Sequence, residues 1–114
     1  MIKGKVVLVS FPFDDLSSTK VRPAVCLTDS ISEHYHVVLA FISSQLPIDR
    51  LETDVLLDST RADFSSTGLR VSSVLRLHRL ITVTTSLLQR ELGELSPLMR
   101  KEVDKRLKKL FGLK

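Results

Sequence analysis

Arg22 stands directly before Pro23, at the mouth of the apolar run Ala24–Leu27. Proline fixes its own φ and pushes the residue before it towards an extended conformation. A permanently charged guanidinium is thus held at the start of a core strand, beside the polar loop that precedes it. Ser43 closes a second apolar run, His36–Ile42, and is followed by Ser44 and Gln45. If the two strands are neighbours, guanidinium and hydroxyl reach one cleft. That pair suits phosphodiester chemistry. Cleavage of RNA by its own 2′-hydroxyl demands little covalent chemistry of a protein. Charge on the phosphorane oxygens must be stabilised, the 2′-proton removed and the 5′-oxygen helped to leave. A guanidinium serves the first task at any working pH, and a hydroxyl can donate to another phosphate oxygen. On residue type alone the alternatives stay open: a solvated strand-end arginine and a strand-end serine. No side chain stands out as the general base.

Other chemistries find little support. There is no glycine-rich phosphate loop, no His-Glu-x-x-His and no Gly-x-Ser-x-Gly, which leaves nucleotide-driven enzymes and serine hydrolases without a motif. His34 and His36, two apart on a strand, would share a face and permit two metal ligands. His78 has no motif relation to them, and no acidic residue sits at a fixed spacing. They are taken as polar loop and strand residues, with no metal or cofactor expected. The single cysteine, Cys26, lies in an apolar run. It is expected to be a buried core residue, and it excludes an internal disulfide framework.

The elements that must position Arg22 and Ser43 follow from periodicity. Strands are expected at Val6–Phe11, Val21–Thr28, His36–Ile42 and Asp54–Leu57. One or two more are expected over Leu69–Leu77 and Leu80–Thr84. The first and third are apolar at nearly every position, as in strands buried on both faces. Pro23 restricts the second to an edge or to an unpaired position at its start. Ser86–Leu92 has the spacing of a short helix closed by Gly93. Ser96-Pro97 is an N-cap and first-turn proline. Met99, Val103, Leu107, Leu110 and Phe111 follow as the apolar face of a helix, and Gly112 ends it. Strands followed by a helix predict a mainly β fold: one domain over residues 1–114, a small barrel or strongly curved sheet with the helix packed on it.

The chain has 114 residues, 43% of them apolar and 26% charged, with a net charge of +4. Those values fit one soluble domain with a modest core. The charge is uneven: from Pro97 onward there are seven Lys and Arg against two acidic residues. No apolar stretch approaches the ~20 residues of a membrane span, and the N-terminus lacks a small-residue cleavage site, so a cytoplasmic location is expected.

Several stretches resemble the MazF/PemK-like toxins. Gly4–Phe13 with Arg22-Pro23-Ala24-Val25 is similar to the family's opening. Phe41-Ile42-Ser43-Ser44-Gln45 resembles its Ile-Thr-x-Gln segment. Gly68-Leu69 with Ser73-Val74-Leu75, and Leu88 with Leu92-Gly93-Glu94-Leu95, resemble its later segments in the right order. The resemblance implies an SH3-like barrel of the MazF/CcdB type and a homodimeric toxin of a type II toxin–antitoxin pair. It further implies metal-independent cleavage of single-stranded RNA, leaving 2′,3′-cyclic phosphate and 5′-hydroxyl ends, and an acidic antitoxin partner. The family's catalytic Arg maps onto Arg22 and its catalytic Thr onto Ser43. Asp14, Asp15, Lys20, Ser44, Gln45 and Arg79 are candidate substrate contacts. Where the family often has Gln-Ile-Arg-Thr, this chain has Arg79-Leu80-Ile81-Thr82, so base preference does not carry over. The alternatives are a gyrase-binding toxin of the same barrel type, echoed by Phe111-Gly112 but with no tryptophan in the chain, and an inactive binding module.

Overall fold

The apolar runs become strands, and the pattern of their burial sets the architecture. The computed structural model describes residues 2–11 and 20–114. Its strands are β1 (Lys5–Phe11), β2 (Lys20–Cys26), β3 (His36–Ser43), β4 (Asp54–Leu57), β5 (Ser73–Thr84) and β6 (Leu88–Glu94). They form an antiparallel six-stranded sheet in the order β4-β5-β3-β2-β1-β6. A C-terminal helix, α1 (Pro97–Leu110), completes the mainly β fold that the sequence predicts. Among the described residues no helix is long and apolar enough to cross a membrane.

Each face of the sheet has its own core. Val6, Val25, Ala40, Ile42, Leu75 and Leu77 pack with Met99 and Val103 of α1. Val7, Val9, Ala24, Cys26, Val37 and Leu39 form the second cluster with Val83. α1 covers only the first. The second buries itself because the sheet bends over it. β5 makes the bend visible. Residues of equal parity share a face in a regular strand, yet Leu75 and Leu77 join the first core while Ile81 and Val83 join the second. The turn-over falls at the register shift opposite Ala40–Ile42. Burial on both faces is why β1 and β3 carry almost unbroken apolar sequence.

Two expectations are corrected. Ser86–Leu92 is not a helix: a short 3₁₀ turn, Thr85–Leu87, leads into β6, which pairs with β1. Leu88 and Leu92 are spaced as on a helix face, but two register shifts against β1 turn them to different cores. Pairing β6 satisfies the backbone groups along the outer side of β1, which a helix there would leave open. Leu69–Ser72, expected as the start of a strand, is loop; the remainder, Ser73–Thr84, is the single strand β5, within the one or two expected.

That loop is fixed at both ends. Gly68 has φ +74°, and a Cβ there would lie 2.1 Å from the Leu92 carbonyl oxygen. Gly93, opposite, would meet the Ser66 carbonyl oxygen at 2.2 Å. The 3₁₀ turn Phe64–Thr67 therefore rests on β6 backbone to backbone. Buried Thr67 donates to the Phe64 carbonyl at 2.7 Å and accepts from the Leu69 N–H at 3.1 Å. Ser73, also buried, donates to the Val71 carbonyl at 2.9 Å.

Candidate active site where the second and third strands part

β2 and β3 pair from Cys26–Leu39 to Ala24–Phe41, and there the ladder stops. The register gives the reason. The Leu27 N–H donates to the Val38 carbonyl at 2.8 Å, so hydrogen-bonded pairs recur at Val25–Ala40 and then at Pro23–Ile42. Proline has no N–H to give at that point. Pro23 thus keeps its place beside Leu8 of β1 but cannot hold β3. Arg22 and Ser43 lie just beyond that point on the two strands, where the ladder has ended. The sequence-level expectation about Pro23 holds in an unexpected setting, an inner strand.

A cleft of about 430 Å³ opens where the strands part. Arg22, Pro23, Ile42, Ser43, Ser44 and Gln45 line it. Leu69, Arg70 and Val71 of the pinned loop and Ser73 at the start of β5 line it as well. None of these residues is acidic, so the described lining is cationic and rich in hydroxyls. Arg22 is half-buried, with Val9 across the ladder on β1. Ser43 Oγ accepts the Gln45 N–H at 3.1 Å. The return contact from the hydroxyl to the Gln45 carbonyl is long, 3.4 Å. The turn after β3 therefore orients the oxygen and leaves the proton available to a better acceptor. Arg70 is exposed and makes no ion pair or hydrogen bond among the described residues. The arrangement offers a cleft for phosphodiester with two guanidinium groups and a positioned hydroxyl along it.

Comparison with known proteins gives the chain its family. Residues 2–111 match the family described as PemK-like, MazF-like toxin of type II toxin–antitoxin system. The chain belongs to that family. No curated protein matches it. Among solved structures it is similar to the Mycobacterium tuberculosis toxin MazF-mt6, at 20% identity and TM-score 0.74, covering 96% of this chain and 98% of that one. A mycobacterial endoribonuclease in complex with its cognate antitoxin gives 16% identity and TM-score 0.75 over 100% of this chain and 97% of the other. The Deinococcus radiodurans MazF gives 19% and 0.71 over 99% and 97%. At these identities the likeness concerns the fold.

Of the toxin's sequence-predicted site residues, the cleft unites Arg22, Ser43, Ser44 and Gln45. Arg79 is elsewhere, exposed on β5 and outside the lining. Lys20 opens β2 opposite Phe11, but its side chain, like Asp14 and Asp15, lies outside the described residues. Arg70 was missed. Its signal was available: it follows Gly68-Leu69, a pair already marked by the family resemblance, in a stretch mistaken for strand. His34 and His36 stack with ring centroids 5.7 Å apart at the β2–β3 hairpin, the end of β3 remote from Ser43. Cys26 is fully buried at the other end of β2, and burial foremost pushes its thiol pKa up to about 11. A smaller hollow of about 220 Å³ lies between β2 and α1. Its Arg100 is already engaged by Glu94 at 2.9 Å and the Leu95 carbonyl at 3.1 Å.

Proposed function

We propose that this toxin is an endoribonuclease that cleaves single-stranded RNA by internal attack of a 2′-hydroxyl. The observation that carries the reading is the Arg22–Ser43 juxtaposition in a cleft whose described lining has no carboxylate. The 2′-oxygen bonds to phosphorus, the bond to the 5′-oxygen breaks, and a 2′,3′-cyclic phosphate and a 5′-hydroxyl remain. The proton of the 2′-hydroxyl goes to a base, and the departing 5′-oxygen takes one up. Arg22 stabilises the charge that builds on the phosphorane oxygens, and Ser43 donates to one of them. Because the nucleophile comes from the RNA, no metal-bound hydroxide is needed, and activity persists in EDTA.

Membership of the family and the antitoxin-bound relatives support two partners. An acidic antitoxin covers the cleft and blocks RNA. A second copy of the chain covers apolar surface such as Leu46 and Ile48, both exposed.

The test is a gel assay on single-stranded RNA. Arg22→Ala is expected to lose about 10²–10³ in rate, the worth of one preorganised donor. Arg22→Lys recovers only part, because a point charge lacks the planar fork. Ser43→Thr stays active and Ser43→Ala loses less than Arg22→Ala. RNA with a 2′-deoxy sugar at the cut site resists cleavage. Full activity of Arg22→Ala, or cutting of the 2′-deoxy substrate, overturns the chemistry.

A further inference from the structure

We propose that Arg70 is a second phosphate-binding residue, gripping the phosphate next to the scissile one and so setting RNA affinity rather than the chemical step. The proposal rests on the reading of the cleft as an RNA site. Three observations carry it. Arg70 lines the same cleft as Arg22 and comes from a different segment of the chain. It is exposed and has no hydrogen bond or ion pair among the described residues, so its donors are available to a ligand. Its backbone is nevertheless held: Gly68 is wedged against Leu92, Leu69 packs on the first core, and buried Ser73 bonds the Val71 carbonyl at 2.9 Å. A flexible surface arginine loses much entropy on binding. One carried by a fixed loop loses less.

The two guanidinium groups differ in setting. Arg22 is half-buried beside Ser43, whose hydroxyl is oriented by the turn at Gln45. That site suits the group whose charge changes during reaction. Arg70 stands further into solvent, and a phosphate that does not react carries the same charge in ground and transition states. Uniform binding of that kind lowers KM and leaves kcat nearly untouched. The apolar residues Pro23, Ile42 and Leu69 line the same cleft and offer a surface for the sugar or base that links the two phosphates.

The experiment measures kcat and KM for Arg70→Ala and Arg70→Lys on a short single-stranded RNA. Binding of the same variants to an oligonucleotide with a 2′-deoxy sugar at the cut site is followed by fluorescence anisotropy across a salt series. Arg70→Ala is expected to raise KM and Kd about tenfold, equivalent to about 1.4 kcal/mol, with kcat within about a factor of two. The slope of log Kd against log salt should fall by about 0.7, the value of one phosphate contact on a single strand. Arg70→Lys keeps most of the affinity. Replacing the neighbouring phosphate by a neutral methylphosphonate should abolish the difference between wild type and Arg70→Ala. A loss in kcat at constant KM overturns the assignment, as does an unchanged salt slope or a penalty that survives the methylphosphonate. The two readings fail separately. Wild-type protein that binds the oligonucleotide through Arg70 but never cuts RNA removes the catalytic reading alone. Cleavage that is indifferent to Arg70 removes this one alone, and wild-type protein that does not bind at all removes both.

Discussion

Three glycines separate two causes of glycine dependence, and substituting each by alanine weighs them. Gly112 has φ +66° and nothing within 4 Å of an added Cβ, so Gly112→Ala meets only the left-handed backbone penalty. That penalty is about 1–2 kcal/mol. The alanine also restricts the unfolded chain, which offsets about 0.4–1 kcal/mol, leaving a net cost of about 1 kcal/mol or less. At Gly93 no left-handed φ is involved, but the Cβ would sit 2.2 Å from the Ser66 carbonyl oxygen and 2.6 Å from the Thr67 carbonyl carbon. Both are backbone atoms and cannot swing aside. Overpacking of that kind costs about 1–3 kcal/mol, and the rigidity of the neighbours places Gly93→Ala near the top, about 2 kcal/mol net. Gly68→Ala combines both terms, with φ +74° and a 2.1 Å approach to the Leu92 carbonyl oxygen, so about 4 kcal/mol is expected. For a domain of this size one kcal/mol moves Tm by roughly 5 °C. Thermal unfolding at one fixed protein concentration should therefore give shifts of roughly 5 °C or less, about 10 °C and about 20 °C, in that order. A Gly68→Ala protein no less stable than Gly112→Ala would refute the backbone-to-backbone contact on which the Arg70 wall rests.

Two further outcomes concern stability. Ser96 Oγ accepts the Met99 N–H at 3.1 Å at the start of α1 and donates to Asp63, so Ser96→Ala should cost about 1–2 kcal/mol, measured by urea unfolding. Three carboxyls are held below the usual range: Asp29 by the Lys3 and Ile2 N–H groups, Asp58 by the Thr60 N–H and hydroxyl, and Asp63 by the Ser96 hydroxyl and then Arg61. Folded values below unfolded ones contribute stability that is complete above about pH 4 and lost as pH falls through the lowered values. The urea midpoint should hold steady from neutral pH to about pH 5 and drop below pH 4; a rise on acidification would contradict the assignment.

Arg22 and Ser43 could be picked from sequence because each marks the end of an apolar run, and strand ends are where a sheet exposes side chains to ligand. Pro23 was visible as a constraint, but which hydrogen bond it removes depends on the β2–β3 register, and that follows from long-range pairing. α1 was legible to the residue at its start, since Ser96-Pro97 acts locally. β6 was not. Its leucines four apart fit a helix face as well as a strand with two register shifts, and only the need of β1 for a partner decides between them. Arg70 escaped because only the fold brings it into the cleft with Arg22, 48 positions away in the chain.

The missing bond at Pro23 bears on how the site is kept open over time. Any other residue there would offer an N–H to the Ile42 carbonyl and invite the two strands to zip together as far as Arg22 and Ser43. The gain would be about 0.5–1.5 kcal/mol for one hydrogen bond. Against it stands about 0.4–1 kcal/mol from the greater freedom of the unfolded chain without proline. The two nearly cancel, so selection for stability alone has little grip on this position, and an idle, zipped-up chain would fold as well as a working one. A residue that touches no proton and carries no charge is then expected to separate the two, and Pro23→Ala should give well-folded protein in which the β2–β3 ladder runs on past Ala24–Phe41.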